Sequence, residues 1–381
     1  MRLSRRGFLA LGGQVAALSM GALLTRSASS APLSQPLSPE EETLDYKIGQ
    51  MLMMGFRGSV LTPDNPVVAD IRDRHIGGVV LFDSQGAGSS NITSAAQLKR
   101  LTADLQAIAP TPLLISVDQE GGSVARLKPQ YGFAQTVSQQ YLGNLNDAST
   151  TYRYADETAG TLRSTGINMN LAPVVDLNTN PSNPVIGVYG RSFSADPLTV
   201  TTHSEQVINA HREHGIFCTL KHFPGHGSSR ADSHLGFTDV TATWSPVELE
   251  PYMDIIRAGL CDVVMTAHIF NANLDPDLPA TLSRKTITGL LRDDFGFDGV
   301  VMTDDMQMRA ITDNYSFETA LRLAILAGVD IITIGNNMLY GPGTTALAIS
   351  TIKQLVANDL IPIERIDQSY QRIKLLKSWI P

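Results

Sequence analysis

Eight short apolar runs alternate with longer amphipathic segments along most of this 381-residue chain, and no other feature restricts the possible folds as much. Several runs are almost continuously apolar and rich in Val and Ile, as parallel strands covered on both faces are. The segments between them show helical spacing of apolar residues. The runs cover residues 51–55, 78–82, 113–117, 167–171, 217–220, 263–266, 299–303 and 331–334, and the helical candidates cover 94–108, 198–213, 245–258 and 317–327.

This alternation predicts an α/β fold, namely a (β/α)8 TIM barrel in a single domain. An open doubly wound sheet is the alternative, because a sequence pattern does not show whether a sheet closes. In both architectures the carboxyl ends of the strands share one rim, so polar residues that follow the runs are expected to converge on one pocket. These residues are Asp83, Asp118, Lys221, His222, His268, Asp304 and Asp305, with Lys221 and His222 placed where the fifth strand ends and a loop begins.

The first 31 residues have the features of an export signal. Residues 4–9 (SRRGFL) form a twin-arginine pattern, an apolar stretch follows to Leu24, and small residues end at Ala31. We therefore predict a signal peptide over residues 1–31, a leader segment over 32–44 and one catalytic domain over 45–381. The protein is then periplasmic or secreted, without stable membrane insertion after cleavage. The alternative is an uncleaved anchor, although the run is short and Gly-rich for a spanning helix.

Composition narrows the possible partners. A net charge of −8 argues against a nucleic acid partner bound through a general basic surface. Cys218 and Cys261 lie in or beside apolar runs, which favours small buried side chains, and a single bridge between them is the alternative. The sequence indicates no oligomeric state.

Asp304 is the first candidate for a catalytic residue. It directly follows the seventh run, so a rigid carboxylate would lie at the mouth of a strand, as a glycosidic nucleophile requires. Such a group would attack the anomeric carbon and form a covalent intermediate. The alternative is that Asp304 only caps the following helix, with Asp305 beside it.

Asp232 and His234 together fit an acid/base. An acid/base for this role must both give and take a proton, which the imidazole of His234 can do, and Asp232 can accept a hydrogen bond from one ring nitrogen and stabilise the charged form. A Gly- and Ser-rich segment, Gly225 to Ser229, is expected to let His234 swing toward a bound substrate. The alternative is a surface histidine in a polar loop.

The histidines also suggest a metal alternative, built from His222, His226, Asp232 and His234. Pro224 and Gly225 interrupt any helix that would put His222 and His226 on one face, and Lys221 would repel a cation. We therefore expect neither a metal nor an organic cofactor.

Other charged residues are candidates for substrate contacts. Asp118 lies in the run Asp118 to Gly122 (DQEGG), where it can accept hydrogen bonds from sugar hydroxyls. Arg126, Arg191 and Lys221 can donate them. Each of these residues could instead belong to a salt bridge at the rim.

These motifs resemble those of the family 3 glycoside hydrolases, in particular the single-domain type of the β-N-acetylhexosaminidase branch. The similarity rests on five motifs in order between Ile48 and Ile334: residues 118–122, 190–193, 221–227 (KHFPGHG), 232–234 and 296–305. The resemblance implies a (β/α)8 barrel and a retaining mechanism with Asp304 as nucleophile and His234 as acid/base assisted by Asp232. It also implies that Asp118, Arg126, Arg191, Lys221 and His222 bind a terminal N-acetylglucosamine.

The expected activity is that of an exported exo-β-N-acetylglucosaminidase acting on peptidoglycan fragments or chitooligosaccharides. A β-glucosidase or a phosphorylase on the same scaffold is one alternative, since a histidine acid/base is compatible with phosphorolysis in this family. A catalytically silent glycan-binding protein of the cell envelope is another.

Overall fold

Eight parallel strands form the centre of the protein, whose structure is a computed structural model that describes residues 43–84, 90–337 and 339–380. Each predicted apolar run coincides with one strand in whole or in part. The strands are β1 (Leu52–Gly55), β2 (Gly78–Leu81), β3 (Leu114–Val117), β4 (Met169–Asn170), β5 (Phe217–Phe223), β6 (Val263–Thr266), β7 (Val300–Thr303) and β8 (Ile332–Ile334).

The sheet closes into a barrel. Neighbouring strands pair in parallel in the order β7-β6-β5-β4-β3-β2-β1-β8. The two ends of that order then meet, because Met302 bridges Ile331 just before β8 and the Thr303 N–H donates to the Ile331 carbonyl at 3.0 Å. The predicted (β/α)8 barrel is therefore confirmed, and the alternative of an open doubly wound sheet is wrong.

Helices connect the strands on the outside of the barrel. They are α1 (Leu44–Gln50), α2 (Pro66–Arg72), α3 (Ala95–Ile108), α4 (Gln139–Leu145), α5 (Ala148–Ser164), α6 (Pro197–Glu213), α7 (Glu250–Arg257), α8 (Arg309–Thr312), α9 (Phe317–Ala327), α10 (Thr344–Ala357) and α11 (Ile363–Lys377), with a π-helix at Lys285–Asp294. The predicted helix over 245–258 is a 3₁₀ turn, Pro246–Leu249, followed by α7.

Local sequence explains where several helices begin. Ser94 caps α3, since its Oγ accepts from the Gln97 N–H at 3.2 Å, and Asp196 caps α6 just before a proline at the first helical position. Thr43 caps α1 in the same way. The first helix thus begins at Leu44, inside the predicted leader, and the predicted signal peptide with residues 32–42 lies outside the described residues.

The core is a large cluster of aliphatic, aromatic and methionine side chains from strands and helices, beside a small cluster of Val174, Val185 and Ile186. All residues of β1, β2, β3, β6, β7 and β8 are buried, because helices cover the outside of the barrel and side chains fill its inside. Cys218 is buried and Cys261 half-buried, and both are free thiols, so the alternative of a bridge between them is wrong. Within the described residues, none of the helices has the length and apolar character that a bilayer crossing requires.

Candidate active site

A cavity of about 420 Å³ opens at the carboxyl ends of the strands. Its walls contain every residue to which the sequence assigns a role: Asp118, Arg126, Arg191, Lys221, His222, Asp232, His234 and Asp304. The predicted convergence of strand ends on one pocket is confirmed for Asp118, Lys221, His222, Asp304 and Asp305, whereas Asp83 and His268, which were expected there too, are buried and are not among the lining residues. Glu120, Tyr189, Asp305 and Met308 also line the cavity.

Lys221 and His222 lie within a strand rather than after one. The expected end of the fifth strand at Leu220 is wrong, since β5 continues to Phe223. The extension is stabilised from the β4 side, where Val174 bridges Lys221 and the Val175 N–H donates to the Lys221 carbonyl at 2.9 Å. The strand thereby places both polar side chains rigidly in the cavity wall.

A buried network of charges surrounds Lys221. Its Nζ lies 2.8 Å from Asp118 Oδ1 and 2.6 Å from Glu120 Oε1. Arg191 donates two hydrogen bonds of 2.8 Å each, from Nε and Nη2, to the same Glu120 carboxylate. Burial alone would lower the pKa of Lys221, but the two carboxylates outweigh it and raise that pKa. Lys221 is therefore a permanent cation in this site.

Asp118 is held ionised by its neighbours. Burial raises the pKa of this carboxyl, and the charges of Lys221 and Arg126 outweigh that effect, so the net pKa lies well below its usual range. Arg126 Nη2 is 3.3 Å from Asp118, and its Nη1 is 3.6 Å from the buried Asp83. Lys128 pairs with Asp83 as well, at 2.5 Å.

A glycine turn presents these carboxylates. Gly121 and Gly122 have φ angles of +101° and +62°, and a Cβ on Gly122 would lie 2.6 Å from the Ser138 side chain. Both positions therefore require glycine. The sharp turn lets Glu120 point into the cavity directly after β3 and Asp118.

Asp304 follows β7 and is half-buried in the cavity wall. Its Oδ1 accepts a hydrogen bond of 2.7 Å from the Asp305 N–H. Burial raises the pKa of Asp304. The imidazoles of His222, His268 and His234 lower this pKa by more than burial raises it, so the net pKa lies below its usual value. The group predicted as nucleophile is thus an ionised carboxylate.

The alternative that Asp304 caps the next helix is wrong. Helix α8 begins at Arg309, and its N-cap is Met308. The neighbouring Asp305 has the structural role instead, since its Oδ1 accepts from the backbone N–H groups of Gln307 and Gly335 at 3.0 and 2.9 Å. Burial raises the pKa of Asp305 to about 6.

Asp232 and His234 form the expected pair. Asp232 Oδ1 accepts from both the Nδ1 and the backbone N–H of His234, each at 2.8 Å. The His234 side chain is 46% exposed, yet it lines the cavity together with Asp304. The loop is fixed against α8, because the Ala310 N–H donates to the Ser233 carbonyl at 3.2 Å. His234 is thus a partly exposed loop histidine that faces the cavity, and its role as acid/base stays a prediction.

The segment Gly225 to Ser229, which was expected to act as a hinge, is closely packed. All five residues are buried, and a Cβ on Gly227 would lie 1.7 Å from the Leu177 carbonyl oxygen. The exposed part begins afterwards, at Arg230. Close backbone packing explains the difference, since glycine here permits contact rather than motion.

The comparison with protein families agrees with this geometry. A family model described as the glycosyl hydrolase family 3 N-terminal domain matches residues 43–376. The chain belongs to glycosyl hydrolase family 3.

Three members of the family show the extent of the similarity. A beta-hexosaminidase A of Pseudoalteromonas piscicida is 34% identical over 89% of this chain and 62% of its own length. The structure of a family 3 beta-N-acetylglucosaminidase from Paenibacillus sp. FPU-7 is 37% identical with a TM-score of 0.81, covering 88% of this chain and 62% of that one. A beta-N-acetylhexosaminidase from Beutenbergia cavernae is 30% identical with a TM-score of 0.79, covering 88% and 98%. The chain thus spans less than two thirds of the first two relatives.

The structure does not bring His222, His226, Asp232 and His234 together as the alternative metal site requires. His226 Nε2 lies 3.1 Å from Ser233 Oγ, and His222 Nδ1 lies 2.7 Å from Asp176. Among the described residues, no three His, Cys, Asp or Glu side chains are grouped so as to hold a metal ion.

Two residues of the site had no role in the sequence analysis. Glu120 was visible only as a second carboxylate in the DQEGG run, and its partner Arg191 is 71 positions away. Asp176 is fully buried and lies 2.7 Å from His222. The sequence did contain an indication of Asp176. A carboxylate directly follows the apolar residues Val174 and Val175, which extend the barrel wall beyond β4.

Proposed function

We propose that this family 3 member is a retaining exo-β-N-acetylglucosaminidase. The observation that carries the proposal is that Asp304 and the Asp232–His234 pair line one cavity together with a network of charged groups, Asp118, Glu120, Arg191 and Lys221. The names of its relatives support the choice of sugar, since they are beta-hexosaminidases and beta-N-acetylglucosaminidases. A purely glycan-binding protein would have no use for an ionised carboxylate opposite an oriented imidazole.

In the first step, an oxygen of the Asp304 carboxylate bonds to the anomeric carbon while the bond from that carbon to the leaving oxygen breaks. Protonated His234 gives a proton to the leaving oxygen and becomes neutral. Asp232, bonded to Nδ1, orients the ring and stabilises its charged form before transfer. The product is a glycosyl ester of Asp304.

In the second step, water hydrolyses the glycosyl ester and displaces Asp304 from the anomeric carbon. Neutral His234 takes a proton from the water molecule, whose oxygen bonds to the anomeric carbon as the bond to Asp304 breaks. The sugar leaves with its original anomeric configuration, and His234 is again protonated. One residue thus serves as acid and then as base.

The remaining residues bind and orient the terminal sugar. Asp118 is ionised and accepts hydrogen bonds from hydroxyls, whereas Arg126 and Arg191 donate. Lys221 and His222 complete the binding wall. Because these groups are fixed by one another, the sugar meets a site that needs little reorganisation.

We further propose that the enzyme acts outside the cytoplasm, on peptidoglycan fragments or chitooligosaccharides. Support for the location is the twin-arginine pattern of residues 4–9. The catalytic chemistry requires no metal or organic cofactor.

The deciding experiment is an activity screen of the purified chain on aryl glycosides, with and without phosphate. We expect release of p-nitrophenol from the β-N-acetylglucosaminide and little from the glucoside, with product of retained configuration. Preference for the glucoside, or a requirement for phosphate, would favour the corresponding alternative. No turnover of any glycoside, or inversion at the first turnover, would refute the proposal.

A further inference from the structure

A second Asp–His pair consists of His222, which lies in the wall of the same cavity, and Asp176, which is buried behind it. Asp176 is 0% exposed, and its Oδ2 is 2.7 Å from His222 Nδ1. Its other oxygen accepts from the backbone N–H groups of His226 at 2.8 Å and His222 at 3.2 Å. Asp176 thereby joins the segment after β4 to β5 and to the turn that follows β5, and it is not among the residues that line the cavity.

The hydrogen-bond partners of His222 determine which ring nitrogen carries a proton. Asp176 already accepts from two backbone N–H groups, as an ionised carboxylate does, so it also acts as an acceptor toward His222. Nδ1 of His222 is therefore the donor. On the other side of the ring, Arg191 Nη2 lies 3.3 Å from Nε2. A guanidinium only donates, so Nε2 carries no proton.

We propose that Asp176 is a positioning residue that holds His222 as the neutral Nδ1–H tautomer, so that Nε2 presents an acceptor to Arg191 and to the sugar site. Within the described part of the chain, the other hydrogen bonds of the Arg191 guanidinium go to Glu120 and to the Val185 carbonyl, the latter at 3.1 Å. With the opposite tautomer, two donors would face each other between His222 and Arg191. The tautomer thus decides whether the guanidinium stays in its place in the cavity wall.

The variant that tests this is Asp176→Asn, which changes one acceptor into a donor with almost no change in shape. The amide oxygen can still accept from the backbone N–H groups of His226 and His222. The amide nitrogen then donates to Nδ1, which forces the proton onto Nε2. The exposed pair Asp156 and His214, 2.7 Å apart on the outside of the barrel, provides the matched control Asp156→Asn.

The direct measurement is the ¹⁵N spectrum of histidine-labelled protein, with His222 assigned by its loss in His222→Gln. In the wild-type protein we expect a protonated Nδ1 and an unprotonated Nε2, and in Asp176→Asn the reverse. A wild-type His222 that carries its proton on Nε2, or on both nitrogens at neutral pH, would overturn the proposal. That spectrum is decisive even if the variant does not fold.

The kinetic measurement rests on the proposed function. We expect Asp176→Asn to lower kcat/KM on the aryl N-acetylglucosaminide by about 100-fold. This loss is smaller than the effect of a wrong tautomer at a histidine that transfers a proton, because His222 only binds the substrate. Asp156→Asn should leave kcat/KM unchanged. Activity loss in a folded Asp176→Asn without reversal of the tautomer would contradict the proposal, as would unchanged kcat/KM with reversal. If the wild-type chain turns over no glycoside, the proposed function fails, while the wild-type spectrum still decides the role of Asp176.

Discussion

Lys221 Nζ and Glu120 Oε1 lie 2.6 Å apart, and neither side chain is more than 2% exposed. Glu120 also receives both hydrogen bonds from Arg191, so this carboxylate contacts two buried cations, whereas Asp118 contacts Lys221 at 2.8 Å. Removing one partner of such a pair leaves an uncompensated charge in a medium that solvates it poorly.

We therefore predict that Glu120→Gln destabilises the protein and weakens substrate binding together. The free energy of unfolding should fall by about 3 kcal/mol, as expected when one partner of a buried ion pair is lost. Displacement of Arg191 should lower kcat/KM by about 100-fold. Urea denaturation and steady-state kinetics measure the two effects. The control is Asp313→Asn, which removes the exposed partner of Arg309 and should change neither.

Residues that follow strands were predictable, because the barrel brings all strand ends to one rim. Asp118 and Asp304 could be assigned to the same pocket although 186 positions separate them, since 304 − 118 = 186. The eight apolar runs carry that information through their composition and order. Closure of the sheet is visible only in the structure. It depends on backbone hydrogen bonds such as the one from Thr303 to Ile331, and residue type does not predict which backbone groups pair.

Contacts between loops were not predictable from spacing. Arg191 reaches Glu120 from the loop before α6, and Asp176 reaches His222 from the segment after β4. Neither loop has a periodic pattern that sets the direction of its side chains. The length of β5 was underestimated because Lys221 is charged, and its charge is compatible with a buried strand only through partners on other elements.

We predict that Asp304→Asn abolishes turnover and covalent labelling. The amide is a poor nucleophile, so kcat on the aryl N-acetylglucosaminide should fall by about 10⁴-fold or more. Mass spectrometry after incubation with a slow 2-deoxy-2-fluoro or 5-fluoro glycosyl fluoride should show a glycosyl adduct on the wild-type chain only.

The matched variant for that experiment is His234→Ala, which should still be labelled because fluoride needs little protonation to leave. An adduct on Asp304→Asn located at another carboxylate, such as Asp305, would reassign the nucleophile. An unlabelled His234→Ala protein would show that this residue has a further role in forming the adduct.

We predict that the effect of His234→Ala depends on the leaving group. General acid catalysis typically contributes about 10²–10⁴-fold, so hydrolysis of chitobiose should fall by about 10³-fold. Hydrolysis of a dinitrophenyl glycoside, whose leaving group needs almost no proton, should fall far less in its glycosylation step. Single-turnover rates on both substrates separate that step from deglycosylation. Equal losses in the first step would argue against His234 as the acid.

The last prediction concerns Glu248, which lies under the loop that carries the histidines. Its side chain is buried, and Oε2 accepts from the Gly227 N–H at 3.1 Å. Burial raises the pKa of Glu248 from 4.5 to about 7. The folded protein therefore keeps this proton where the unfolded chain has lost it, so the contribution of Glu248 to stability is greatest below about pH 4.5 and falls as the pH rises through 7.

Glu248→Gln removes this titration and keeps an acceptor for Gly227. We expect the free energy of unfolding of the variant, relative to the wild-type protein, to rise by about 2–3 kcal/mol between pH 4 and pH 8. Urea denaturation of both proteins at intervals over that range measures the difference. Glu213→Gln, at an exposed residue whose carboxylate accepts a hydrogen bond from the Tyr152 hydroxyl, should give a flat difference. A flat difference for Glu248→Gln as well would mean that Glu248 is already ionised in the folded protein at acid pH, with its charge compensated by the backbone around Gly227.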